Sequence, residues 1–162
     1  LYAIPLIDTE LAELYTGEDT SIEAWSALTL GATIGGMVIN TAGVTLAHGM
    51  EHPVSGKVDA VHGNGLAALT PIVIDAEYVS NRVKFGHLAR MLGGFTAEDC
   101  SKKISSLLEK LDLKVTLTDL GIKKDDISWL TKNCLKVSAG NIENTPGHFT
   151  EADISKLYEA AL

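Results

Sequence analysis

An all-α fold, a bundle of about seven or eight helices, is what this chain predicts, on three observations. Apolar residues recur at helical spacing through nearly every segment. Cap signals stand at the heads of those periodic runs, in Thr20-Ser-Ile-Glu23, Thr96-Ala-Glu-Asp99 and Thr150-Glu-Ala-Asp153. Strand signals are confined to residues 72–74 and 115–117, too short to outweigh their helical surroundings. The 162 residues suffice for one domain that buries about 70% of its unfolded surface, and no repeat, linker or low-complexity tract divides them.

Taken in order, Leu1, Ile4, Ile7, Leu11 and Leu14 share a helix face, and Pro5 fits only a first turn. Gly17 then ends that helix in the left-handed conformation. The Thr20–Glu23 box opens a long apolar helix to about residue 40, with a break or kink at residues 41–43. Residues 24–47 carry no charge, a length that could span a bilayer, and Gly31 and Gly35 form a GxxxG. Interspersed Ser26, Thr29, Thr33, Asn40 and Thr41 favour a buried core helix whose glycines allow close packing. A helix carrying His48 and His52 follows, and it is expected to stop before Pro53, because the residue before a proline is pushed out of the α region. Residues 66–79 read as a buried helix kinked or bounded at Pro71, and residues 82–92 as a helix stopped by Gly93-Gly94. Three more are expected, over 99–111, 124–138 and 151–162.

The net charge of −8 is lopsided. Residues 1–56 hold seven acids and no Lys or Arg, whereas the remainder holds fourteen acids against thirteen bases. Without a basic stripe, neither nucleic acid nor an anionic membrane is an expected partner. The acidic N-terminal cluster reads as a solvated face, or one that meets another domain. Cys100 and Cys134 stand alone in apolar helical patterns and read as reduced core thiols, which suits a cytoplasmic protein. No positive n-region or small-residue cleavage pattern predicts a secretory leader.

Three of the five histidines fall within fifteen residues, at His48, His52 and His62. His48 and His52, four apart, share a helix face. His62 opens the next apolar run, so imidazoles stand on both sides of one short loop, an arrangement suited to a metal. Two readings follow. His48-Gly-Met-Glu51-His52 matches H-x-x-E-H, the inverted zinc-peptidase signature, in which both histidines bind zinc and Glu51 activates water. Alternatively His48 and His62 bind the metal and His52 is free for proton transfer, leaving Glu51 as a solvated rim charge. His87 and His148 read as surface or cap residues, Met37, Met50 and Met91 as packing, and Trp25 and Trp129 as helix-face anchors.

The longer string G-x-x-L-x-H-G-M-x-H-P-(eight residues)-H-G, from Gly43 to Gly63, resembles the signature of the iron-containing (group III) alcohol dehydrogenases. The similarity extends to Asn40, to Lys84-Phe85 through Leu92-Gly93-Gly94, and to Leu120-Gly121-Ile122 with Asp126-Ile127. It closes on Asn144-Thr-Pro146 and Phe149-Thr150-Glu151-Ala-Asp153-Ile154. The resemblance implies that residues 1–162 are one helical metal-binding domain, the C-terminal domain of the dehydroquinate synthase-like fold. It implies Fe2+, with Zn2+ as the alternative, His48 and His62 as two metal ligands, and His52 as the imidazole near the nicotinamide. It further implies NAD or NADP bound by an N-terminal Rossmann-like domain, and a small-molecule alcohol or aldehyde as substrate. The family's other two ligands lie in a D-x-x-x-H segment that these residues do not contain, and no Gly-rich dinucleotide loop follows a strand. Val61 stands where the family usually has proline. Residues 1–162 alone are therefore expected to be inactive, and apolar surface at the domain boundary allows a homo-oligomer. A non-catalytic helical module of the same fold is the rival reading.

Overall fold

The computed structural model describes residues 1–162 and is 73% helical, without a strand. Nine α-helices follow in order: α1 Ala3–Thr16, α2 Ile22–Ala42, α3 Leu46–Val58, α4 His62–Glu77, α5 Arg82–Met91, α6 Asp99–Lys110, α7 Ile127–Val137, α8 Ala139–Glu143 and α9 Glu151–Ala160. They gather into two compact units, one of Leu1–Gly43 with Arg82–Asp112 and one of Val44–Asn81 with Leu113–Leu162.

In the first unit, α1 ends as its sequence requires, with Gly17 at φ 77° and its N–H bonded to the Glu13 carbonyl. The cap of α2 lies one residue later than expected: the Ser21 hydroxyl, not Thr20, accepts from the Ala24 N–H. Gly31 is where α1 and α2 meet, since a Cβ there would lie 2.8 Å from the Ile7 side chain. Around Gly35 and Gly36 there is open space, so only the first glycine of the GxxxG serves packing.

The expected burial of α2 is not found. Only Ala24 and Gly31 are buried, and Ile22, Trp25, Leu30, Met37, Val38 and Ile39 are exposed. The reason is its partner: α1 is shorter than α2 and is the main helix packed on it, leaving most of the circumference open. By length and composition α2 could cross a membrane.

The second unit holds the main core: Leu46, Met50 and Val54 of α3, Leu69 and Val73 of α4, Ile127, Leu130 and Cys134 of α7, and Ile154 and Tyr158 of α9. Leu46, Met50 and Val54 are four apart in sequence, so they form one stripe of α3. Tyr158, fully buried, donates a 2.6 Å hydrogen bond from its hydroxyl to the Met50 carbonyl and ties α9 to the middle of α3. Thr150 and Asp153 cap α9 reciprocally, as predicted. Both cysteines are free and buried, and burial raises the Cys134 thiol to about 11, which keeps it unreactive.

One proline, Pro53, behaves differently from expectation. α3 does not stop at His52 but runs through Pro53 to Val58, and α4 runs through Pro71. Pro53 forfeits the hydrogen bond its N–H would make to the Gly49 carbonyl. It is, however, buried beside Val54, and continuing the helix keeps that side chain in the core. A proline inside a helix costs about 3 kcal/mol, and burial of Val54, at about 1.5–3 kcal/mol, together with that of Pro53 itself offsets it.

Candidate metal centre

The stripe of α3 that enters the core decides where its histidines go. With Leu46, Met50 and Val54 inward, His48 and His52 take a neighbouring face and stand near solvent: His48 is half-buried and His52 exposed. The head of α3 is fixed from a distant segment. Its own Thr45 makes no side-chain cap; instead the Thr145 hydroxyl accepts the Leu46 N–H at 2.8 Å, and the Asn144 amide donates to the Val44 carbonyl at 3.2 Å. The short α8 comes close because residue 49 is glycine, where a Cβ would stand 3.1 Å from that of Ser138. Neither α8 nor this remote cap was foreseen. The only signal for the cap was the Asn144-Thr-Pro146 segment itself.

At the other end, Asp59 closes α3 in the left-handed region at φ 53°. Two further residues bring the chain to His62, the first residue of α4. Lys57 pins this end of α3 to α7, reaching Asp126 at 3.0 Å and lying 4.9 Å over the Trp129 ring. Val61 has φ −62° and ψ 121°, a geometry open to proline, and its N–H makes no hydrogen bond. Val61→Pro is therefore expected to stabilise the fold by about 0.4–1 kcal/mol, by restricting the unfolded chain. Urea denaturation measures this; a loss of stability would show that the loop must bend away from this geometry.

The three predicted imidazoles come together. Ring centroids of His48 and His62 lie 5.3 Å apart, those of His52 and His62 5.9 Å, and those of His48 and His52 6.3 Å. Two imidazoles bound to one tetrahedral ion at about 2.0–2.1 Å place their centroids roughly 5 Å apart, so the His48–His62 spacing suits a shared cation. The His52 ring lies nearly parallel to that of His62, at 22°. Burial first, and then the neighbouring His62 and His52 rings, hold the His48 imidazole below its ordinary pKa, against the opposing pull of Glu51. A neutral imidazole is the form that binds a metal. The donors present therefore fit a borderline cation such as Fe2+ or Zn2+. No third His, Cys, Asp or Glu joins them within a mutual 4.8 Å; the group that meets that test is Glu10, Glu13 and Asp19, in the other unit. His87 and His148 are exposed and outside the cluster, as expected.

Glu51 departs from the sequence reading. It is not a solvated rim charge: it is fully buried, accepts a hydrogen bond from the Ser55 hydroxyl and contacts Nδ1 of His62. A helical position between two histidines suggested solvent, but turning Met50 and Val54 inward carries Glu51 toward α4.

Paired imidazoles on consecutive helices, with a buried carboxylate behind one of them, thus stand together in an all-helical chain. Residues 1–162 match the Fe-containing alcohol dehydrogenase family, C-terminal, and the chain belongs to that family. It is 26% identical over 150 residues to the 1,3-propanediol dehydrogenase of Klebsiella pneumoniae, covering 88% of this chain and 38% of that protein. To the long-chain primary alcohol dehydrogenase AdhA of Thermoanaerobacter ethanolicus it is 31% identical over 141 residues, covering 82% of this chain and 35% of that one. Among solved structures, the alcohol dehydrogenase from Oenococcus oeni superposes with a TM-score of 0.88 at 28% identity, over 99% of this chain and 43% of that one. The chain thus spans well under half the length of the relatives it matches.

Proposed function

We propose that residues 1–162 are the metal-binding part of an NAD(P)-dependent, iron-dependent alcohol dehydrogenase that interconverts an alcohol and an aldehyde by hydride transfer. The convergence of His48, His52 and His62 carries this reading. His48 and His62 would hold Fe2+, or Zn2+ in its place, with the remaining ligands and the nicotinamide site supplied by residues beyond these 162. Bound there, the cation would supply Lewis acidity toward the substrate oxygen, lowering the alcohol's pKa. His52, which is exposed and in ring contact with both of these histidines, would take the alcohol proton and pass it to solvent. A small alcohol or aldehyde as substrate is supported by the name of the 1,3-propanediol dehydrogenase relative, and a cytoplasmic location by the two free thiols.

The test is the full-length protein loaded anaerobically with Fe2+ and assayed with NADH and NADPH against short aldehydes and diols. Metal-dependent turnover abolished by a chelator is expected. His52→Ala should keep its metal and lose about 10²–10⁴-fold in kcat, the range of a lost general acid–base group. Stoichiometric iron without turnover on any substrate would favour a non-catalytic role.

A further inference from the structure

The Glu51 carboxylate is the one fully buried charged group of the second unit whose partners include a proposed metal ligand. A carboxylate is costly to bury unless it is hydrogen-bonded, and each Glu51 oxygen has a partner. Ser55, one turn on, donates to Oε1, and its hydroxyl also reaches the Ala60 carbonyl at 3.1 Å, linking the carboxylate to the loop that leads into His62. The other oxygen, Oε2, faces Nδ1 of His62. The exposures on the two sides of that contact differ sharply: the Glu51 side chain is 0% exposed and that of His62 51%. The ring is thus held from its buried edge and open at its other.

Space for this arrangement is made by the absence of a side chain. Gly65, one turn into α4, lies directly against Glu51; a Cβ there would stand 2.6 Å from Oε1 and 2.7 Å from Cγ. The carboxylate consequently packs against the first turn of α4, the end of the helix dipole that favours negative charge.

We infer that Glu51 is the positioning residue of the centre: it accepts the Nδ1 proton of His62, selects that tautomer and orients the ring so that Nε2 is left to the cation. An imidazole has two nitrogens, and the hydrogen bond made by one fixes what the other can do. Glu51 touches neither substrate nor cation in this role; it acts through His62. The inference deepens the reading of His62 as a metal ligand and rests on it.

Two measurements on the full-length protein test it. The first uses nitrogen-15 NMR of the His62 ring in the metal-free protein at a pH where the ring is neutral. Wild type should show the Nδ1–H tautomer, and Glu51→Ala should shift the ring toward the Nε2–H form that free imidazole side chains prefer. The second is Zn2+ affinity by competition with a chelating dye. Glu51→Ala should weaken binding by about 10–100-fold, and Glu51→Gln, whose amide oxygen still accepts from Nδ1, should recover part of that loss. Gly65→Ala, which pushes on the carboxylate from α4, should weaken binding in the same direction. An Nε2–H tautomer in wild type would overturn the inference, and so would affinity unchanged within twofold in a folded Glu51→Ala. The wild-type tautomer needs no variant, so it decides even if Glu51→Ala does not fold. Wild type that shows the Nδ1–H tautomer but binds no metal would instead overturn the role of His62 as a ligand.

Discussion

His48→Ala in the full-length protein is expected to lose metal and activity together. A ligand should matter more than the partners behind it, so affinity for Fe2+ or Zn2+ should fall by more than the roughly 10–100-fold typical of outer hydrogen-bond partners. Lewis-acid stabilisation worth several kcal/mol, at about 1.4 kcal/mol per factor of ten, corresponds to a drop of about 10³-fold in kcat. The fold should survive. His48 is only half-buried, makes ring contacts rather than core contacts, and is absent from the apolar stripe of α3. Metal analysis and circular dichroism on one preparation separate the two effects. Retained metal with lost activity would move His48 from ligand to substrate contact.

The second large effect is on stability. Met50→Ala removes a fully buried side chain from the centre of the second unit's core, packed beside the Tyr158 hydrogen bond to its own carbonyl. Such truncations cost about 2–5 kcal/mol, and at this chain length each kcal/mol lowers Tm by about 2–4 °C. Met37→Ala is the control. The sequence pattern read both methionines as packing, yet Met37 is 62% exposed on α2 and should change stability by less than about 0.5 kcal/mol. Equal effects at the two positions would mean that α2 is covered in solution.

Why the two methionines looked alike bears on what a sequence can disclose. Period and caps reveal that a helix exists and which residues share its face, which is why α1, α2, α5, α6, α7 and α9 fall close to where they were expected. They do not reveal what lies opposite that face. The apolar run of α2 is a core helix or an open one depending on its neighbours, and α1 covers only one side of it. The same blindness hid Glu51. A charge on a helix between two histidines is ordinarily solvated, and only the approach of α4 at Gly65 makes it a buried partner of His62. Pro53 misled for a related reason: local geometry argued for a helix end, and burial of Pro53 and Val54 outweighed it. The histidines themselves were legible, because their i, i+4 spacing and the short loop to the next helix leave few ways to keep them apart.

Crystallography of the full-length protein soaked with Zn2+, recorded at the zinc absorption edge, tests the centre most directly. The anomalous peak should lie between His48 and His62, about 2.0–2.1 Å from Nε2 of His62, with Nδ1 of that ring still on Glu51. A peak on Glu10, Glu13 and Asp19 with none between the two rings would contradict it.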